Sequence, residues 1–200
     1  MTNNLADVLI RLREAPVAFV ADIESMFYQV GVPVEDRDVM RFLWWPGGDM
    51  KSAPKEYRMT VHLFGATSSP SCANYALRRT SEDFGGLFGE QAQKVIKENF
   101  YVDDCLRSDE TEDEAIEVAG DLRSLCRLGG FNLTKFASTS RRLLKSLPPQ
   151  EREKDVKSID LNLDDLPQAR ALGVCWKMED DVFGSNLSST ETTKPGSSPQ

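Results

Sequence analysis

Apolar residues in this chain follow two rhythms. Val17-Ala18-Phe19-Val20-Ala21 is an unbroken apolar run closed by Asp22, the pattern of a strand covered on both faces. Phe100-Tyr101-Val102 is closed by Asp103-Asp104 and followed by Cys105-Leu106-Arg107, which predicts a hairpin with both acids at its turn. Residues 41–45 and 57–63 read as two more strands, joined through the turn-forming tetrapeptide Pro46-Gly47-Gly48-Asp49. Helical spacing begins where Ser69 offers a cap and Pro70 a first helical position. It runs through Cys72, Ala73, Ala76, Leu77 and Thr80 as far as Phe84-Gly85-Gly86. A second helix is announced by the capping box Thr111-Glu112-Asp113-Glu114. Ile116, Ala119, Leu122 and Cys126 recur on one face, Arg123 and Arg127 occupy the last turns, and Gly129-Gly130 stops it. A strand over 131–136 and a basic helical piece over 141–147 follow. Pro148-Pro149 and the charged run 151–157 predict an exposed connection, and residues 171–176 with Asp181-Val182-Phe183 predict a last hairpin. From Gly184 onward Ser, Thr, Gly, Pro and Asn predominate, so the reading is a disordered tail.

This order of elements fits an α+β fold, an antiparallel sheet with helices packed on one face. At 200 residues and 40% hydrophobic content the chain suffices for one packed domain. No apolar stretch is long enough to cross a membrane, and the N-terminus lacks a secretory pattern, so a cytoplasmic protein is expected. Cys72, Cys105, Cys126 and Cys175 form no Cys-x-x-Cys pair and read as reduced thiols; His62, set in an apolar run, reads as a hydrogen-bonded structural histidine. The formal net charge of -8 opposes nucleic-acid binding as a bulk number. Its distribution does not: the segment 39–79 carries Arg41, Lys51, Lys55, Arg58, Arg78 and Arg79 against Asp49 and Glu56.

The candidate chemistry lies where strands end in acids. Asp22 on one strand and Asp103 and Asp104 on another put three carboxylates at one edge of a sheet. Magnesium takes hard oxygen ligands and shares its sphere with water and phosphates. Three such acids suit a pair of ions, the apparatus of in-line phosphoryl transfer.

The blocks Asp22…Phe27, Leu63-Phe64-Gly65-Ala66-Thr67-Ser68-Ser69-Pro70 and Tyr101-Val102-Asp103-Asp104 resemble, in that order, motifs A, B and C of a reverse transcriptase palm. More narrowly, Asp-Ile-Glu-x-Met-Phe at 22–27, the stretch Val39-Met40-Arg41-Phe42-Leu43-Trp44 and the phrase Phe-Gly-Ala-Thr-Ser-Ser-Pro resemble the BEL/Pao class of long-terminal-repeat retrotransposons, over residues 14–183. The resemblance implies a polymerase palm with a partial fingers hairpin at 37–63 and a primer-grip-like hairpin at 170–183. Residues 1–13 would be a lead-in and 184–200 a tail.

By the same resemblance Asp22, Asp103 and Asp104 would be catalytic. They would hold two Mg²⁺ (or Mn²⁺) ions, with the Ile23 carbonyl as a further ligand. Phe27 would be the steric gate against a ribose 2′-hydroxyl, a core aromatic beside Met26 being its structural alternative. Phe64 and Gly65 would lie near the nucleotide, and Lys135 would match a lysine proposed to protonate pyrophosphate, an exposed strand face being its structural alternative. Tyr101, Leu172, Gly173, Val174 and Trp176 would meet the primer, a core strand fitting the apolar stretch 172–176 equally well, while Arg41, Lys51, Lys55 and Arg58 would face the template. Implied partners are an RNA or DNA template-primer, deoxynucleoside triphosphates and other segments of a parent polyprotein, with no membrane. The N-terminal fingers strands and any thumb lack a counterpart. The chain therefore reads as a palm excised from a longer polyprotein with RNA-directed DNA polymerase activity, expected to be weak or inactive in isolation because fingers and thumb are incomplete, or as a non-catalytic relic that at most binds nucleic acid or protein.

Overall fold

The computed structural model describes residues 3–184. In chain order the elements are α1 (Leu5–Arg11), β1 (Val17–Ile23), β2 (Arg41–Trp44), β3 (Lys55–Arg58), α2 (Ser69–Phe84), α3 (Glu90–Glu98), β4 (Phe100–Tyr101) and β5 (Asp104–Asp109). They continue with α4 (Glu112–Leu128), β6 (Leu133–Ser138), α5 (Arg141–Ser146), α6 (Lys154–Lys157), β7 (Gln168–Ala171), β8 (Val174–Lys177) and β9 (Val182–Gly184). Short 3-10 segments fill several connections, among them Met26–Gln29 and Val34–Met40.

The central sheet is antiparallel, with strand order β4-β5-β1-β6, so β1 is an interior strand. Alternation along β1 divides its side chains between two cores. Phe19, Ala21 and Ile23 pack with Leu77 of α2, Val95 and Ile96 of α3, and Leu122, Leu125 and Cys126 of α4. Ala18 and Val20 point the other way, into a cluster with Val8 and Leu12 from the N-terminal helix region, Leu106, Val156 of α6 and Trp176 of β8. Both faces of the sheet are therefore covered, which corrects the one-faced arrangement expected from sequence and explains why the β1 run is apolar throughout.

Further corrections follow from packing. The helix begins at Ser69, with Ser68 in the cap position. The strand expected over 57–63 is displaced to Lys55–Arg58, in register with β2. The strand expected over 131–136 starts at Leu133. The last hairpin is a three-stranded sheet, β7-β8-β9, because a turn at Leu172-Gly173 divides the segment read as one strand. The 151–157 connection is not wholly exposed: Glu151 is buried and accepts hydrogen bonds from Arg123 and Arg127, and Val156 is in the core. The capping box at Thr111 forms with both of its hydrogen bonds. His62 is buried, its Nδ1 lying 3.4 Å from Ser69 Oγ. Of the tail expected over 184–200, Gly184 instead closes β9, and residues 185–200 lie outside the described residues. Among the described residues no helix is long and apolar enough to cross a membrane.

Candidate active site

Antiparallel pairing of β1 with β5 sets Asp22 directly opposite Asp104. Asp104 is thus the first residue of β5 and lies in the ladder, paired with Tyr101 of β4; only Asp103 joins Val102 in the two-residue turn. Val102 adopts φ +56°, an unfavourable conformation for a β-branched side chain and the one a tight hairpin turn demands of its first central residue. The backbone N–H of Ile23 donates to the Asp103 carbonyl at 2.9 Å, which ties this turn to the end of β1. Ile23's side chain is fully buried in the core.

Lys135 reaches the same edge through an irregularity in β6. Val20 pairs with Ala137 and Asp22 with Thr134, so two steps on β1 face three on β6. That is a β-bulge, and Lys135 within it has φ +54°. Its Nζ donates to Asp22 Oδ1 at 2.9 Å. The pairing raises the lysine pKa, the hydrogen bond to Asp22 being the main cause.

Burial pushes Asp103 up, and the negative charge of Asp22 adds to the shift. Burial pushes Asp104 to about 6, with Asp103 and Asp22 adding repulsion and Lys135 opposing it. The three acids thus share one partly buried edge, with the Lys135 ammonium as the opposing charge.

The acids border two concavities. One, of about 430 Å³, is lined by Phe27, Phe64, Gly65, Tyr101, Asp103, Asp104 and Leu172, among others. Phe27 and Phe64 form its aromatic wall, with ring centroids 6.1 Å apart. Phe27 is also partly packed against the core, as its structural alternative has it. Phe64 is 84% exposed. It is presented by Gly65, whose φ of +88° is open to glycine and strained for any other residue. The second concavity, of about 820 Å³, lies along Asp22, Asp104 and Lys135 and continues past Lys154 and Arg170. Sequence reading missed Lys154 and Arg170, which sit in segments where nothing local distinguishes a site-lining cation from a solvated one.

Other expected residues fall elsewhere. Trp176 is fully buried and donates from Nε1 to Asp181 Oδ1, so it is a core residue and not a primer contact, which corrects the sequence reading. Gly173 is left-handed at φ +82° in the β7-β8 turn, and Val174 opens β8. Arg41 is taken up by Asp38 and Glu56, and Arg58 by Asp38. Lys51 and Lys55 enter no ion pair among the described residues.

The donor set is all oxygen and anionic, which suits a hard divalent cation. Among the described residues no three His, Cys, Asp or Glu side chains stand as a ready-made cage. All four cysteines are free. Burial raises the thiol pKa of Cys105 and takes that of Cys126 to about 12, which disfavours the thiolate at both. No protein-family model matches this chain, and no curated protein matches it.

Proposed function

We propose that this chain is the palm of a BEL/Pao-type reverse transcriptase and transfers deoxynucleotides to a primer 3′ end on an RNA or DNA template. The observation that carries this reading is the pairing of Asp22 with Asp104 across β1 and β5, with Asp103 on the adjoining turn, beside a cleft walled by Phe27 and Phe64.

In this reading Asp22, Asp103 and Asp104, with the Ile23 carbonyl, would hold magnesium or manganese, which would supply activation of an attacking hydroxyl and charge neutralisation for a leaving pyrophosphate. The chain's residues contribute the remainder. Phe27 and Phe64 bound the space beside Asp103 and Asp104, so a sugar seated there meets an aromatic ring and not water, and a 2′-hydroxyl has no polar partner on that wall. Tyr101 and Leu172 also line the cleft. Lys135 keeps one positive charge on Asp22 and lowers the repulsion among the acids.

Primer extension tests the proposal. A labelled primer-template is incubated with the folded chain, deoxynucleoside triphosphates and Mn²⁺, beside Asp103→Asn. Extension that falls by about 100-fold or more in the variant is the expected result, since removal of a metal-binding carboxylate costs several kcal/mol of transition-state stabilisation. Extension unchanged by Asp103→Asn overturns the site.

The salt bridge from Lys135 to Asp22 favours a second reading, a palm-derived module without catalysis, because a lysine already balances one of the acids. Under that reading the folded chain extends no primer, and millimolar Mg²⁺ leaves its Tm unchanged.

A further inference from the structure

Strand β5 carries an acid at each end. Asp104 opens it opposite Asp22, and Asp109 closes it opposite Val17, at the far end of the strand from the candidate active site. Side chains around that far end gather about a separate concavity of about 440 Å³. Six carboxylates line it, those of Glu14, Asp109, Glu110, Glu114, Glu117 and Asp121, against two cations, Lys94 and Arg107. Glu114, Glu117 and Asp121 recur at three- and four-residue steps along α4, so they share one face of that helix.

An acidic surface alone selects no ligand, because solvated carboxylates need no partner. Asp109 differs in being buried, at 5% exposure. Arg107 donates from both Nε and Nη2 to one of its oxygens, Oδ1, at 2.9 and 2.6 Å. The other oxygen, Oδ2, is buried with no hydrogen-bond partner among the described residues. A buried carboxylate oxygen without a donor is destabilising, so this concavity has an unmet need for one. The neighbouring acids set the charge of that donor. Glu114 and Asp121 already accept backbone N–H groups, from Thr111 and Gly89. Glu14, Glu110 and Glu117 enter no ion pair among the described residues, and with Arg107 committed to Asp109 only Lys94 of the lining residues is left to offset them. Spacing disfavours a single compact ion: among the described residues no three His, Cys, Asp or Glu side chains stand close enough to hold a metal.

We propose that this concavity binds a linear aliphatic polyamine. One ammonium supplies the donor that Asp109 Oδ2 lacks, further ammonium groups meet Glu14, Glu110 and Glu117, and the methylenes between them lie along Ala15 and Val118, which also line the space. An ammonium on an unbranched chain offers three donors and is slender enough to approach a buried oxygen. The volume is that of a small-ligand site, which favours a free polyamine over the basic surface of a protein. This site is independent of the polymerase reading, because it shares no lining residue with either concavity beside Asp22, Asp103 and Asp104.

Isothermal titration calorimetry of the full chain with spermidine at low salt is the test, with MgCl₂ at matched ionic strength and a capped trilysine peptide as comparisons. Saturable binding of spermidine, tighter than that of Mg²⁺, is expected. Asp109→Asn should weaken it by about tenfold or more, because a buried charged partner is lost. Glu110→Gln and Glu117→Gln should each weaken it by about twofold to fivefold, the range of exposed ion pairs. Glu35→Gln, at an exposed acid outside the concavity, and Asp103→Asn should leave it unaltered, which separates a site from the general attraction of a chain with net charge -8. Circular dichroism verifies the fold of each variant, and if Asp109→Asn does not fold the two glutamate variants decide. Four results overturn the site: no saturable binding by the folded chain, affinity indifferent to the Glu110 and Glu117 substitutions, an equal loss in Glu35→Gln or Asp103→Asn, or trilysine bound more tightly than spermidine. The last would assign the concavity to a protein partner.

Discussion

Asp104 holds its proton more tightly in the folded chain than in the unfolded one, at a pKa of about 6 against an ordinary value of 3.8. For an acid shifted this way the folded state binds more protons between those two values, so stability declines as pH rises from about 4 to 6 and stays lower above. Asp103 moves in the same direction. Asp104→Asn removes the charge and keeps the shape. It should therefore stabilise the chain at pH 7.5 by about 1–2 kcal/mol, a figure reduced from the full shift because the carboxyl is only half buried and partly screened, and should do little at pH 4. Urea unfolding at the two pH values measures this, and a destabilised variant at pH 7.5 would contradict it. Not every residue with a strong environment advertised it. Glu151 sits in a run of charges that reads as solvated, yet it is buried between Arg123 and Arg127 of α4, partners 28 and 24 residues away that no local pattern connects to it.

At the scale of elements, legibility tracked how local the cause was. The α4 start is set by hydrogen bonds within four residues, and sequence reading found it. Helix α3 carries Ala92, Val95 and Ile96 at helical spacing but begins at Gly89 without a side-chain cap, and it went unread. Helix α1 offers only Val8 as a buried residue, too little for a period. The bulge that turns Lys135 toward Asp22 depends on pairing between strands more than a hundred residues apart, which one sequence does not display. The pair Gly129-Gly130 makes the same point. Gly130 has φ +81° and stops the helix as read. Gly129 is there for a different reason: a Cβ would fall 2.1 Å from Thr80 Oγ1 and 2.8 Å from Thr80 Cβ, where α4 meets α2. Thr80 is buried and its hydroxyl donates to Ala76 O, so it has little room to retreat. Gly129→Ala should lower stability by about 1–3 kcal/mol in thermal or urea unfolding, with Gly129→Ala/Thr80→Ala recovering part of the loss. An unchanged midpoint for the single variant would show that the helices shift apart at no cost.

Across the whole molecule, stability is unevenly distributed. β1 lies between two cores and shares hydrogen bonds with β5 and β6, so opening it exposes both clusters at once. The β2-β3 hairpin is its opposite: all eight of its strand residues are exposed, and its own cross-strand pairs supply much of what orders it. Local opening free energies follow burial, so the hairpin should open without the rest. In hydrogen exchange, amides in 41–44 and 55–58 should exchange within minutes near neutral pH, while those of Phe19 to Ala21 and of Leu122 to Cys126 persist for hours or longer. Uniform protection across both sets would mean that the hairpin is held by contacts beyond its own pairing.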